Sequence, residues 1–132
     1  MTDEPYPDAP RFKFADGDRR ELCEYLTALT LEGKKTGTCW PLRDMAKGEP
    51  MMAVGDIAVY TDWDGVPVCA IEYTAIEIAR FDEVSEEFAL SEGENETRDG
   101  WAEDHRMFFE RNGGWSPDME LVCENFRVIE RF

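Results

Sequence analysis

Apolar residues recur along this chain with two periods, and the changes between them divide it into elements. Leu22, Leu26 and Leu29 stand at i, i+4 and i+7, one face of a helix. Asp18, with Glu21 three residues on, is the expected N-cap, and Gly33 is the expected stop, so the pattern predicts a helix over 19–32. A short Thr-rich stretch over 34–41 follows, a strand or an ordered loop, and 43–55 reads as a connection. Residues 56–60 and the long run 66–79 are rich in β-formers and flank Asp64-Gly65, which predicts a hairpin. Within the long run Cys69, Ile71 and Tyr73 alternate in phase while Ile76 and Ile78 do not, so a bulge is expected near Thr74 and Ala75.

Two further helices are predicted, over 82–92 with Val84, Phe88 and Leu90 inward, and over 99–112. Trp101, His105, Phe108 and Phe109 lie on one face of the second, with Gly113-Gly114 closing it. A last strand covers 121–132, with Val122, Glu124, Phe126 and Val128 in one phase and Leu121, Cys123 and Ile129 in the other. The order lacks regular βαβ alternation. It predicts an α+β fold, a small, mostly antiparallel barrel with helices on one side. Residues 1–11 are expected to form a flexible tail and 12–132 a single domain, in line with 132 residues in all.

Composition narrows the function. The 30 acids against 14 Lys+Arg give a net charge of −16, which disfavours tracking a long nucleic-acid backbone. The imbalance is uneven: net −2 over 1–50, −4 over 51–80 and −10 over 81–132. No apolar run approaches the roughly 18–20 residues of a membrane span, and Met1 to Pro5 show no basic or apolar leader, so a cytoplasmic protein is expected. Cys23, Cys69 and Cys123 sit in apolar surroundings and read as reduced core residues. With one histidine and no CxxC, a Cys/His metal site would need ligands from distant segments.

The densest chemical signal is the loop Gly33-Lys34-Lys35-Thr36-Gly37-Thr38, cationic and rich in donors but not a P-loop. Lysines here also complement a helix C-terminus. Positions three apart on a regular strand face opposite ways, so Lys35 and Thr38 meet only across a turn or bulge. If they meet, a desolvated lysine could activate the threonine hydroxyl as a nucleophile, and a carboxylate would handle the leaving-group proton. Arg43 and Lys47 extend the basic cluster, and Trp40 could stack on a base.

Gly33-x-Lys35-x-x-Thr38 after an amphipathic helix resembles the signature of the ASCH domain, a relative of PUA-like RNA-binding folds. The resemblance continues through Gly48-Glu49-Pro50, Val54-Gly55-Asp56, Glu92-Gly93-Glu94, Trp101-x-x-x-His105-x-x-Phe108-Phe109 and Val122-Cys123-Glu124-x-Phe126-x-Val128, in order over residues 12–131. It implies a PUA-like β-barrel with outer helices and a basic cleft at the loop. One branch of that family is similar to a small amidohydrolase that deacylates N4-acetylcytidine with a Lys–Thr–Glu set. Carried over, the set is Lys35, Thr38 and Glu92, with Glu94 or Glu96 as the alternative carboxyl. Lys34, Thr36, Trp40, Arg43, Trp101 and His105 are the expected substrate contacts. No cofactor is implied, except a divalent metal in a ribonuclease branch, and a binding module without chemistry is the third reading. The expected partner is a modified nucleoside or a short single-stranded RNA, with no membrane and no long duplex DNA.

Overall fold

The computed structural model describes residues 6–15 and 18–132. Residues 1–5, which carry the expected leaderless start and the first part of the tail, lie outside the described residues. Chain order is β1 (Arg11–Phe12), α1 (Arg20–Leu31), β2 (Gly37–Pro41), β3 (Ile57–Thr61), β4 (Pro67–Arg80), α2 (Glu86–Ser91), α3 (Arg98–Arg111) and β5 (Glu120–Arg131). Short 3-10 turns at Leu42–Lys47 and Phe81–Glu83 fill two connections. The boundary expected at residue 11 thus falls inside β1, and Tyr6 already hydrogen-bonds Glu130.

The strands form one five-stranded sheet in the order β1-β3-β4-β5-β2, with β1 parallel to β3 and the other pairs antiparallel. The expected mostly antiparallel barrel is therefore corrected to an open, mixed sheet. Closure would require the two edges, β1 and β2, to pair, and β1 is only two residues long. The long strand β4 does shift register between Tyr73 and Ala75, where the phase of its apolar residues changes.

Each face of the sheet carries a core, because alternate residues of β4 and β5 point opposite ways. On one face Ile71, Tyr73 and Phe126 pack with Phe14, Tyr60, Leu26 and Leu29, the last two from the stripe of α1. On the other Leu121 and Cys123 pack with Phe81, Val84, Ala89, Trp101 and Phe109 from the region of α2 and α3. Cys23, Cys69 and Cys123 are all buried, as expected of core residues.

Two local expectations change. Asp18 does not cap α1, whose N-cap is Arg19 with no side-chain cap; Asp18 instead pairs with Arg111 of α3 at 2.8 Å. The helix expected over 82–92 is shortened to Glu86–Ser91, because Ser85 caps it by accepting from the Phe88 amide; Val84 and Ala89 are buried, and Phe88 packs half-buried against the same core.

Gly93 ends α2 at φ +82°, and a Cβ there would fall 2.5 Å from the Lys34 carbonyl oxygen. This close approach brings the end of α2 onto the loop that follows α1. Gly93→Ala is expected to cost about 1–3 kcal/mol, from left-handed strain and the displaced loop. The readout is a lower urea midpoint with an unchanged denaturant slope.

Candidate active site

The loop between α1 and β2 is shaped by the helix end. Gly33 takes φ +79°, and the Lys34 and Lys35 amides both donate to the Leu29 carbonyl at 2.9 and 3.1 Å. The Thr36 amide then donates to Ser91 O at 2.8 Å, tying the loop to α2. This path turns Lys35 inward, where it is 2% exposed. Its Nζ donates to Gly37 O at 2.7 Å and to Glu92 Oε1 at 3.2 Å, and lies 5.4 Å from the Phe14 ring centre.

Glu92, the C-cap of α2 and also 2% exposed, collects four donors from three segments. Besides Lys35, its Oε2 accepts from Trp101 Nε1 at 2.6 Å, His105 Nε2 at 3.2 Å and Cys39 Sγ at 3.4 Å. Burial pushes this carboxyl up, but the His105 and Lys35 charges and the His105 and Trp101 hydrogen bonds outweigh it and hold it at about 2. His105 faces acceptors on both nitrogens, with Nδ1 2.9 Å from Trp101 O, so satisfying both requires the imidazolium. Burial lowers the His105 pKa, and the Glu92 charge and hydrogen bond overcome that and raise it. Burial pushes the Cys39 thiol well up, so it stays protonated beside the carboxylate.

The cluster opens onto a cleft of about 930 Å³. The cleft is lined by Arg11 and Phe12 of β1 and by residues 38–41 at the opposite edge, so it occupies the gap where the sheet fails to close. Lys35, Thr38, Trp40, Glu92 and His105 line it together with Glu94, whose carboxyl burial raises against the pull of Lys35 and His105. Other expected contacts lie elsewhere. Lys34 is exposed and pairs with Glu32, Thr36 points its hydroxyl at Ser91 O, and Arg43 donates to Gly114 O. Trp101 is fully buried behind Glu92, stacked between Phe81 and His105. The expected basic cleft is not basic: six carboxylates line it against five Lys and Arg and His105.

Thr38 lies apart from Lys35's hydrogen-bond network. Along β2, Cys39 turns toward Glu92 while Thr38 and Trp40 turn to the opposite face. Directly across from Thr38 on β5 is Glu124, 3% exposed, lining the same cleft and accepting from the Trp40 side chain. Sequence reading did not single out Glu124. The signal was its phase: an acid in step with Val122 and Phe126 has to point into the core that they fill.

Cys39, Glu92 and His105 bring three potential metal-binding atoms within 4.8 Å of one another. They fit a divalent ion poorly. Glu92 already accepts from the Lys35 ammonium, and His105 would have to give up a proton that its two acceptors hold. The site carries its own cations.

The comparisons agree with this architecture. The family model for the ASCH domain matches residues 12–130. The crystal structure of an ASCH domain from Lactobacillus crispatus JV V101 is 36% identical, with a TM-score of 0.80 over 90% of this chain and 78% of that one. A protein from Enterococcus faecalis V583 is 32% identical, with a TM-score of 0.83 over 98% of this chain and 80% of its own. No curated protein matches. The chain belongs to the ASCH domain family.

The Glu92–His105 pair sets a pH dependence. The raised His105 pKa gives stability that is whole below the ordinary histidine value of about 6.5 and is lost as pH rises through the folded value. The lowered Glu92 pKa gives stability that is present above the ordinary carboxylate range and is lost as pH falls toward about 2. Urea unfolding is therefore expected to show a stability loss on the alkaline side of 6.5 that His105→Gln removes. Glu92→Gln strands two buried cations and is expected to cost roughly 3–5 kcal/mol in the same measurement.

Proposed function

We propose that the cleft is the active site of a hydrolase that cleaves an amide or ester on an uncharged nucleoside, N4-acetylcytidine being the type substrate. The observation that carries this reading is a buried lysine, paired with Glu92, that lines the same cleft as Thr38. A cavity of about 930 Å³ suits a nucleoside, since small-molecule sites span roughly 300–1,000 Å³. Its balance of acids and bases suits a neutral ligand better than a phosphate-bearing strand.

The roles follow from the contacts. Thr38 is the nucleophile on the substrate carbonyl. Lys35, whose Nζ donates to Gly37 O and Glu92, stabilises the oxyanion that develops on the carbonyl oxygen. Glu92, held ionised at about 2, has no proton to give near neutrality and serves as the anchor for Lys35 and His105. Glu94, beside it in the cleft and raised by burial, is the carboxyl that protonates the leaving nitrogen.

Acetate release from N4-acetylcytidine by the purified chain tests the reading. Thr38→Ala is expected to lower kcat about a thousandfold or more, and Lys35→Met about a hundred- to a thousandfold. Equal turnover by all three proteins would remove Thr38 and Lys35 from the chemistry.

A further inference from the structure

The proposed mechanism needs a group to take the Thr38 proton. Glu92 holds the Lys35 ammonium in its ion pair, and Thr38 lies on the other face of β2 from Cys39 and Glu92. The residue directly across from Thr38 is Glu124, with no register shift between β2 and β5. Residues opposite one another in an antiparallel pair share a face, with Cβ atoms about 4.5–5.5 Å apart, within the reach of a glutamate side chain. The Glu124 carboxyl is buried at the cleft wall, oriented by the Trp40 side chain two residues along β2.

We propose that Glu124 is the general base for Thr38, a second carboxyl of this active site with a duty separate from that of Glu92. The inference rests on the hydrolase reading above and adds the missing proton acceptor. As the Thr38 Oγ–carbon bond forms, the hydroxyl proton passes to the Glu124 carboxylate. As the carbon–nitrogen bond breaks, the leaving amine takes its proton from Glu94. Water then attacks the acyl-threonine, giving its proton to Glu94 and its hydroxide to the acyl carbon. Thr38 leaves with the proton held by Glu124. An amine and a carboxylic acid are released, and both carboxyls return to their starting states.

The surroundings suit a group that exchanges protons. Among the described residues the polar and titratable groups facing Glu124 are Thr38 and Trp40 from β2, Glu49 from the segment before β3, Tyr60 from β3 and Tyr73 from β4. None is a cation. Burial raises both tyrosines, so they stay neutral, and the Tyr60 side chain hydrogen-bonds Tyr73. For Glu124 itself burial is the main influence, relieved by Trp40 and reinforced by Glu49, and it places the carboxyl at about 7. Glu92 and Glu124 thus form two buried carboxyls with opposite settings, one fixed as an anion and one poised between its states.

The test compares N4-acetylcytidine hydrolysis by wild type and Glu124→Gln across pH 5–9, with a 13C NMR titration of the Glu124 carboxyl in wild type. A base must be ionised, so wild-type kcat is expected to rise with pH through the value at which Glu124 titrates. Glu124→Gln keeps an acceptor for Trp40 but cannot exchange a proton. Its kcat is expected to fall about 10²–10⁴-fold with little change in KM, and its residual rate to lose that rising limb. An unchanged kcat and limb in the variant, with an active wild type, overturns the role of Glu124 and leaves the hydrolase reading standing. A wild type that releases no acetate overturns both. Should the variant fail to fold, the wild type decides: an NMR midpoint within one unit of the kinetic limb supports the assignment, and a wider separation overturns it.

Discussion

A carboxylate removed from water must find partners inside the protein, and Glu92 finds four. An unpaired buried charge is prohibitively costly, so α3, β2 and the loop after α1 each deliver donors to the carboxylate at the end of α2: Trp101 and His105 from α3, Cys39 from β2 and Lys35 from the loop. The helical layer is thereby positioned against an edge strand that it would otherwise touch mainly through apolar contacts. The same demand explains the local geometry. Gly93 and Gly33 both adopt positive φ, which lets the ends of α2 and α1 converge on the carboxylate.

The cleft is a by-product of incomplete closure. A five-stranded sheet whose edges are a two-residue strand and a five-residue strand leaves a seam, and Lys35, Thr38 and Glu124 all face into it. Two cores, one on each face, hold the sheet on either side of that seam. The arrangement separates duties: the α2–α3 face supplies a fixed ionic cluster, and the opposite face supplies the hydroxyl, a tryptophan and a second carboxyl.

Much of this was legible in the chain. The period of the leucines gave α1, the phase change in β4 gave its irregularity, and the Gly33–Thr38 spacing marked the loop that bears Lys35. What sequence pattern could not supply was long-range pairing. The β1–β3 contact is a parallel match across some 48 residues, invisible to alternation, and without it the sheet read as a barrel. The basic cluster misled for a related reason: Lys34, Lys47 and Arg43 are neighbours of Lys35 in sequence, but each has a partner of its own, Glu32, Asp44 and the distant Gly114 O. Glu124 was visible only as an acid in an apolar phase, and its meaning depended on knowing which residue stood across from it.

The alternation along β2 gives the spacing of the glycine, lysine and threonine motif a mechanical meaning. Thr38 and its neighbour Cys39 are addressed to different sides of one ribbon, the hydroxyl toward Glu124 and the thiol toward Glu92. Losing one residue from the preceding loop would exchange those addresses, turning sulfur toward Glu124 and oxygen toward the ionic cluster. The count of residues between lysine and threonine therefore works as a selector of which atom stands beside Glu124, and a change in length there rewires both clusters without changing any side chain.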